Sequence, residues 1–141
     1  MPEKETLRRA RKDRRAGKSA STQAGEFVRE EIEHIREGKH GARSTKQAIA
    51  IGLSKARRAG VALPPPKPGQ TSEETRERAE RDLVAATEGR APSRKRSRAV
   101  RRALGRESRE PASRAALSKQ AKRSAVASPC AGSSACGDRA S

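Results

Sequence analysis

The large apolar residues of this chain are few and unevenly placed. Nine of its sixteen Leu, Ile, Val and Phe residues fall between Phe27 and Leu63, which makes that stretch the one place able to form a folded core. Within it Ala24, Phe27, Val28, Ile32 and Ile35 recur at three- and four-residue spacing. That is the period of one helix face, and it predicts a helix over roughly residues 22–37, ended by Gly38. A second helix is predicted over residues 45–59. Ser44 with Gln47 three residues on is a capping-box pattern, and Gly60 followed by Val61 fits a left-handed C-terminal cap with Val61 folding back near Ala56. On this helix Ile49, Leu53 and Ala56 form one stripe, while Ile51 points nearly the opposite way. The first helix can cover the Ile49 stripe as a hairpin. Ile51 is then left either for a second copy of the chain, giving a homodimer through that face, or partly exposed.

Outside the hairpin the pattern is one of breakers and weak amphipathic segments. Pro64-Pro65-Pro66-Lys67-Pro68-Gly69 cannot be helical and reads as a stiff, extended linker. Thr71 with Glu74 resembles another capping box, opening a charged helix that runs to about Glu88 before Gly89. Residues 94–104 set Ala99, Val100, Ala103 and Leu104 on one side and Arg94, Arg98, Arg101 and Arg102 on the other, a basic amphipathic helix. Pro111 breaks the chain before a last weak helix over about 112–127. The expected fold is mainly α: a basic N-terminal arm (1–21), a short helical hairpin (22–63), a Pro-rich linker (64–70), a charged helix (71–91), an Arg-rich helical segment (92–127) and a disordered tail (128–141). The helices outside the hairpin are expected to be isolated, because sixteen large apolar side chains cannot offset the ordering entropy of all 141 residues.

Charge changes the picture most. Lys and Arg number 34 against 17 Asp and Glu, for a formal net charge of +17. Two basic blocks, +8 over residues 1–63 and +10 over 92–141, flank a middle of −1. Such a surplus points to a polyanionic partner. No window has the roughly 18 consecutive apolar residues of a membrane span, and the charged N-terminal stretch lacks the apolar core of a secretory signal. The expectation is a cytoplasmic protein without a membrane partner. Glu3, Glu5 and Asp13 also sit badly with an organelle transit peptide. Arg outnumbers Lys 24 to 10, a bias that a GC-rich genome would produce irrespective of function.

Catalytic chemistry has little to draw on. His34 and His40 are the only imidazoles, both among charged or Gly neighbours, and they read as solvated. Glu30, Glu31 and Glu33 read as helix surface paired with Arg29 and Arg36. No nucleophile-elbow, Walker, zinc-protease or kinase pattern occurs. Cys130 and Cys136 lack two further ligands nearby, so the expectation is no enzyme, no cofactor and no metal.

The basic residues carry the candidate site. The turn Gly38-Lys39-His40-Gly41-Ala42-Arg43-Ser44 would bring backbone N–H groups and positive side chains to a helix N-terminus, where phosphate is attracted. Lys46, Ser54, Arg57 and Arg58 share one side of the helix that follows. The expected phosphate contacts are therefore Lys39, His40, Gly41, Arg43, Ser44, Lys46, Arg57 and Arg58, joined by Arg94, Arg98, Arg101 and Arg102 from the Arg-rich helix. With no Trp or Tyr and a single, core-like Phe, stacking on bases is not expected. Duplex DNA or structured RNA, held through phosphates without base reading, fits best, with a nucleoid location.

Residues 39–61, KHGARSTKQAIAIGLSKARRAGV, resemble the core of a family of short basic bacterial proteins of unknown function with a Lys-Gln-Ala-Ile-Ala-Ile-Ala-Leu-Ser-Glu-Ala-Arg pattern. Lys46 to Ile51, Leu53, Ser54, Ala56 and Arg57 agree with it, while Gly52 stands for a usual Ala and Lys55 for a usual Glu. Gly52 is expected to weaken the helix by about 1 kcal/mol. The resemblance implies a bacterial origin and a motif-bearing helix, and it brings no activity. The alternative to nucleic-acid binding is an interaction module whose motif helix docks on an acidic protein partner.

Overall fold

A computed structural model of the chain describes residues 2–127. The tail expected over 128–141, with Cys130 and Cys136, lies outside the described residues. The elements in chain order are α1 (Lys4–Arg15), α2 (Ala20–Arg36), α3 (Thr45–Arg58), α4 (Glu73–Thr87), α5 (Arg94–Leu104), a 3-10 turn at Glu110–Ala112 and α6 (Arg114–Ala127). Among the described residues there is no strand, and a lone bridge pairs Pro68 with Thr71 beyond the extended Pro run. The protein is mainly helical.

The hairpin forms as its local signals dictate. Ser44 Oγ accepts from the Gln47 N–H (3.2 Å), while Gln47 Oε1 accepts from the Arg43 N–H (2.6 Å), so donors that helix geometry leaves unpaired are satisfied from both directions. At the far end Gly60 takes φ of 97°, Gly60 N–H donates to Arg57 O and Val61 N–H to Ala56 O, a Schellman cap. The same returning bond closes α1 (Lys18 to Asp13), α2 (Lys39 to His34) and α4 (Arg90 to Ala85). The cap of α4 falls one residue later than expected: Ser72, not Thr71, accepts from Thr75 N–H.

The seam between α2 and α3 is rotated from the expected Ile49 stripe. On α3 the buried small residues are Ala48, Gly52 and Ala56, joined by Arg57, with Leu53 at the edge and Ile49 only half covered. The reason is close approach. A Cβ on Gly52 would lie 2.6 Å from Val28 Cα, so the two backbones come together where α3 has no side chain.

Two expectations need correction. Residues 1–21 are not a free arm, since α1 packs along α2 and adds Leu7 and Ala10 to a cluster with Ala24, Phe27, Ala56, Val61 and Leu63. Nor is the charged helix α4 isolated. It lies on α3 through buried Asp82, whose carboxylate accepts from Ser54 Oγ (2.5 Å) and Arg58 Nε (2.7 Å). This occupies the side of α3 that bears Ile51, one turn before Ser54, which the sequence offers to a second copy; Ile51 is half-buried within its own chain.

A second apolar cluster, Ile35, Ala42, Ala48 and Ala112 with Ile32, closes the other end of the hairpin. The segment after α5 reaches it by four hydrogen bonds to the α2–α3 corner. Gly41 N–H donates to Leu104 O (2.8 Å), Ala42 N–H to Ser108 O (2.9 Å), Arg36 Nε to Ala112 O (2.9 Å) and Thr45 Oγ1 to Pro111 O (2.8 Å). Residues 104–112 are thus fastened to the hairpin and add Ala112 to its core, while residues 105–110 stay exposed, although the sequence marks the stretch only by the breaker Pro111.

Candidate functional site

The twelve residues expected to hold phosphate divide into two sets. At the α2–α3 turn the expected anion cradle is already filled by protein. The Gly41 and Ala42 N–H groups are taken by the carbonyls of Leu104 and Ser108, and a Cβ at Gly41 would run into the Glu107 and Ser108 backbone. Gly41 serves close packing rather than ligand approach, and Ser44 Oγ is engaged as the helix cap. His40 turns inward, its side chain 12% exposed, with Nε2 2.6 Å from Glu31 Oε1. Lys39 pairs with Glu3 (3.3 Å) and Glu37 (3.2 Å), bonds that raise its pKa, the Glu37 contact first.

On α3, Arg57 is buried. Its Nη2 reaches Pro64 O at 3.5 Å, and burial pulls its pKa down while Asp82 opposes the shift. Arg58 is held by Asp82. Neither stands free beside Lys46, because Arg57 is buried against Pro64 and the exposed Arg58 is paired with Asp82 of α4. Of this first set, Arg43 and Lys46 are exposed, and neither has an acid within 4.0 Å among the described residues. Arg43 lines a shallow groove with Ser44, Thr45, Ser108, Glu110 and Pro111.

The second set is on α5. Its sequence RKRSRAVRRAL carries Arg94, Lys95, Arg96, Arg98, Arg101 and Arg102 with no acid, and no residue of the helix is buried. Ser93 caps it by accepting from the Arg96 N–H. Its C-terminal end is stitched to the body through Leu104 O. No acid lies within 4.0 Å of these six cations among the described residues, in contrast to α4, where Arg76 and Arg78 are matched by Glu73, Glu80 and Glu74. A segment of this kind cannot neutralise itself. It presents charge to solvent and to whatever anion is there.

A feature that the sequence pattern hides lies between the two apolar clusters. Glu30 and Glu31 are buried (4% and 1% exposed), not solvated as expected. Of the three acids of this helix stretch only Glu33 makes the expected surface pair, with Arg29 at 3.0 Å. Glu31 receives His40 on Oε1 and Lys55 Nζ on Oε2 at 2.5 Å. Glu30 accepts from the Glu3 N–H at 3.3 Å, and His34 Nε2 sits 2.9 Å from Glu3 Oε1 and 3.9 Å from Glu30 Oε1. His34 and His40 meet edge to face with centroids 6.3 Å apart, so neither is a solvated imidazole. A signal for this does exist. Phe27, Glu31 and Ile35 follow one another at four-residue spacing, which puts Glu31 in the middle of the buried stripe, and His34 lies on the same face. The ligating atoms of Glu31, His34 and His40 lie within 4.8 Å of one another, the one group among the described residues able to hold a metal ion.

No described helix is long and apolar enough to cross a membrane. No curated protein and no solved structure matches the chain. Over residues 11–67, which run from within α1 through the hairpin and the polar layer to the Pro run, the chain is similar to a family of unknown function, DUF6496.

Proposed function

We propose that the chain is a non-enzymatic polyanion-binding protein that holds nucleic acid, duplex DNA or structured RNA, by phosphate contacts without base reading. One observation carries the reading: α5 has six cations in eleven residues, no acid and no buried residue. The binding set is Arg94, Arg98, Arg101 and Arg102 with Lys95 and Arg96, and Arg43 and Lys46 extend it near the corner where α5 is anchored. Lys39, His40, Gly41, Ser44, Arg57 and Arg58 support the fold instead. A nucleoid location follows if the ligand is chromosomal DNA. The alternative, docking of α3 on an acidic protein, has less to stand on, because α2 and α4 both lie against that helix.

The test is a gel-shift series on unrelated duplexes across salt. Affinity falls steeply with salt, and replacing Arg98, Arg101 and Arg102 by Gln makes the log–log slope shallower by about 0.9 for each phosphate no longer neutralised. Indifference to every duplex and structured RNA in dilute buffer would end this reading.

A further inference from the structure

We propose that Glu31, His34 and His40 form a binding site for a divalent metal ion of the zinc class. Three observations meet there. The first is spacing: Glu31-Ile32-Glu33-His34 sets a carboxylate and an imidazole three residues apart on one helix, so both project to the same side, a pattern that metal-binding helical proteins use. Gly38 then reverses the chain and His40 closes on the pair from the turn.

The second is the orientation of His40. Its Nδ1 lies 2.9 Å from Gly41 O, and a carbonyl only accepts, so Nδ1 carries the hydrogen. In the neutral ring Nε2 is then a bare lone pair, yet it lies 2.6 Å from a carboxylate oxygen of a residue 1% exposed. The two atoms form no aligned hydrogen bond, so Nε2 and the carboxylate face each other without a directed partner. A backbone carbonyl on Nδ1 with Nε2 turned to the site is also how histidine ligands are commonly held for metal.

The third is the state of Glu31. Lys55 Nζ is 2.5 Å from Oε2 but too poorly aligned for a hydrogen bond, so this buried oxygen has its charge compensated without a directed partner. Lys55 also has an alternative, since Glu30 Oε1 is 4.0 Å away.

Two imidazoles and a carboxylate suit zinc better than calcium or magnesium, which favour all-oxygen sites. Tetrahedral zinc separates its ligand atoms by about 3.3 Å. The pair at 2.6 Å must therefore open slightly, and the widest of the three separations, at most 4.8 Å, must close. Binding requires a bare Nε2 lone pair on His40, and the Lys55 ammonium shifts toward Glu30. Glu3 Oε1, 2.9 Å from His34 Nε2, lies outside that group, so the fourth position is left to water.

The experiment uses the full chain with Cys130→Ser and Cys136→Ser, so that thiols cannot contribute, and zinc alone as the probe in calorimetric titration. The expected result is one zinc per chain, weakened by about 10-fold or more in either His34→Gln or His40→Gln. Lys55→Gln removes the competing ammonium and should bind zinc more tightly than the parent, an effect that mere damage to the fold does not produce. If that variant is unfolded without metal, zinc should restore its helical circular dichroism. Absence of stoichiometric binding, parental affinity in both histidine variants, or Lys55→Gln that neither gains affinity nor refolds with zinc would each overturn the assignment. These outcomes are independent of nucleic-acid binding.

Discussion

Gly52 shows how a single position can be misread from propensity alone. In a helix interior it costs about 1 kcal/mol relative to Ala, so on local grounds Gly52→Ala ought to stabilise. The added Cβ would instead sit 2.6 Å from Val28 Cα and 3.0 Å from Val28 N, backbone atoms that cannot swing aside. Overpacking of this kind costs about 1–3 kcal/mol, and the predicted outcome is a lower melting temperature, measured by circular dichroism. Glu3 is the second residue with a defined consequence. Its hydrogen bond from His34, then that from Lys39, holds its pKa below the usual 4.5. A depressed carboxylate contributes stability above the unfolded value and loses it as pH falls through the folded one. Amide-exchange protection at Leu7, whose N–H donates to Glu3 O, should therefore be constant well above pH 4.5 and decline below it. In Glu3→Gln that dependence should be absent; if both proteins lose protection alike, the contact does not pin the helix.

Between elements, α4 is attached through two buried residues, Ala79 and the carboxylate of Asp82. Asp82 is 7% exposed and accepts from Ser54 and Arg58, while Arg76 and Arg78 are bound up in ion pairs along the helix. Exposed pairs of that sort contribute little, about 0.3–0.5 kcal/mol each along a helix. Asp82→Ala should cost about 1.5–3 kcal/mol, the worth of hydrogen bonds to a charged group. Hydrogen exchange would show it as faster opening of residues 73–87 with α2 and α3 unchanged; an even loss across all helices would mean that α4 and the hairpin unfold as one unit. α5 is the contrasting element. It buries nothing and pairs with no acid among the described residues, so neutralising its arginines should leave stability nearly unchanged while altering salt-dependent binding.

Across the whole molecule, two apolar clusters enclose a layer of ionisable groups along α2. Buried charges are costly unless paired, and here Glu30 and Glu31 are matched by Lys55, His40 and the Glu3 backbone N–H. The core is thin in apolar area, which makes this layer a large share of what specifies the packing. The helix ends, the caps at Ser44 and Gly60 and the lack of self-compensation in α5 are all legible in sequence, because each depends on residues within a few positions of one another. The inward turn of His40, the occupation of the Gly41 and Ala42 N–H groups, the burial of Arg57 and the docking of α1 and α4 are not. Each depends on a partner beyond the reach of helix periodicity: Leu104 for Gly41, Ser108 for Ala42, Glu31 for His40, Pro64 for Arg57, Asp82 for Ser54. Sequence determined where the helices from α2 onward lie and where the charge lies, since periodicity and capping are local properties of the backbone, but it read α1 as an arm because that helix has a single large apolar residue, Leu7. Tertiary structure alone decided which cations remain free and which acids are buried, because a side chain's solvation is set by the surface that folds against it.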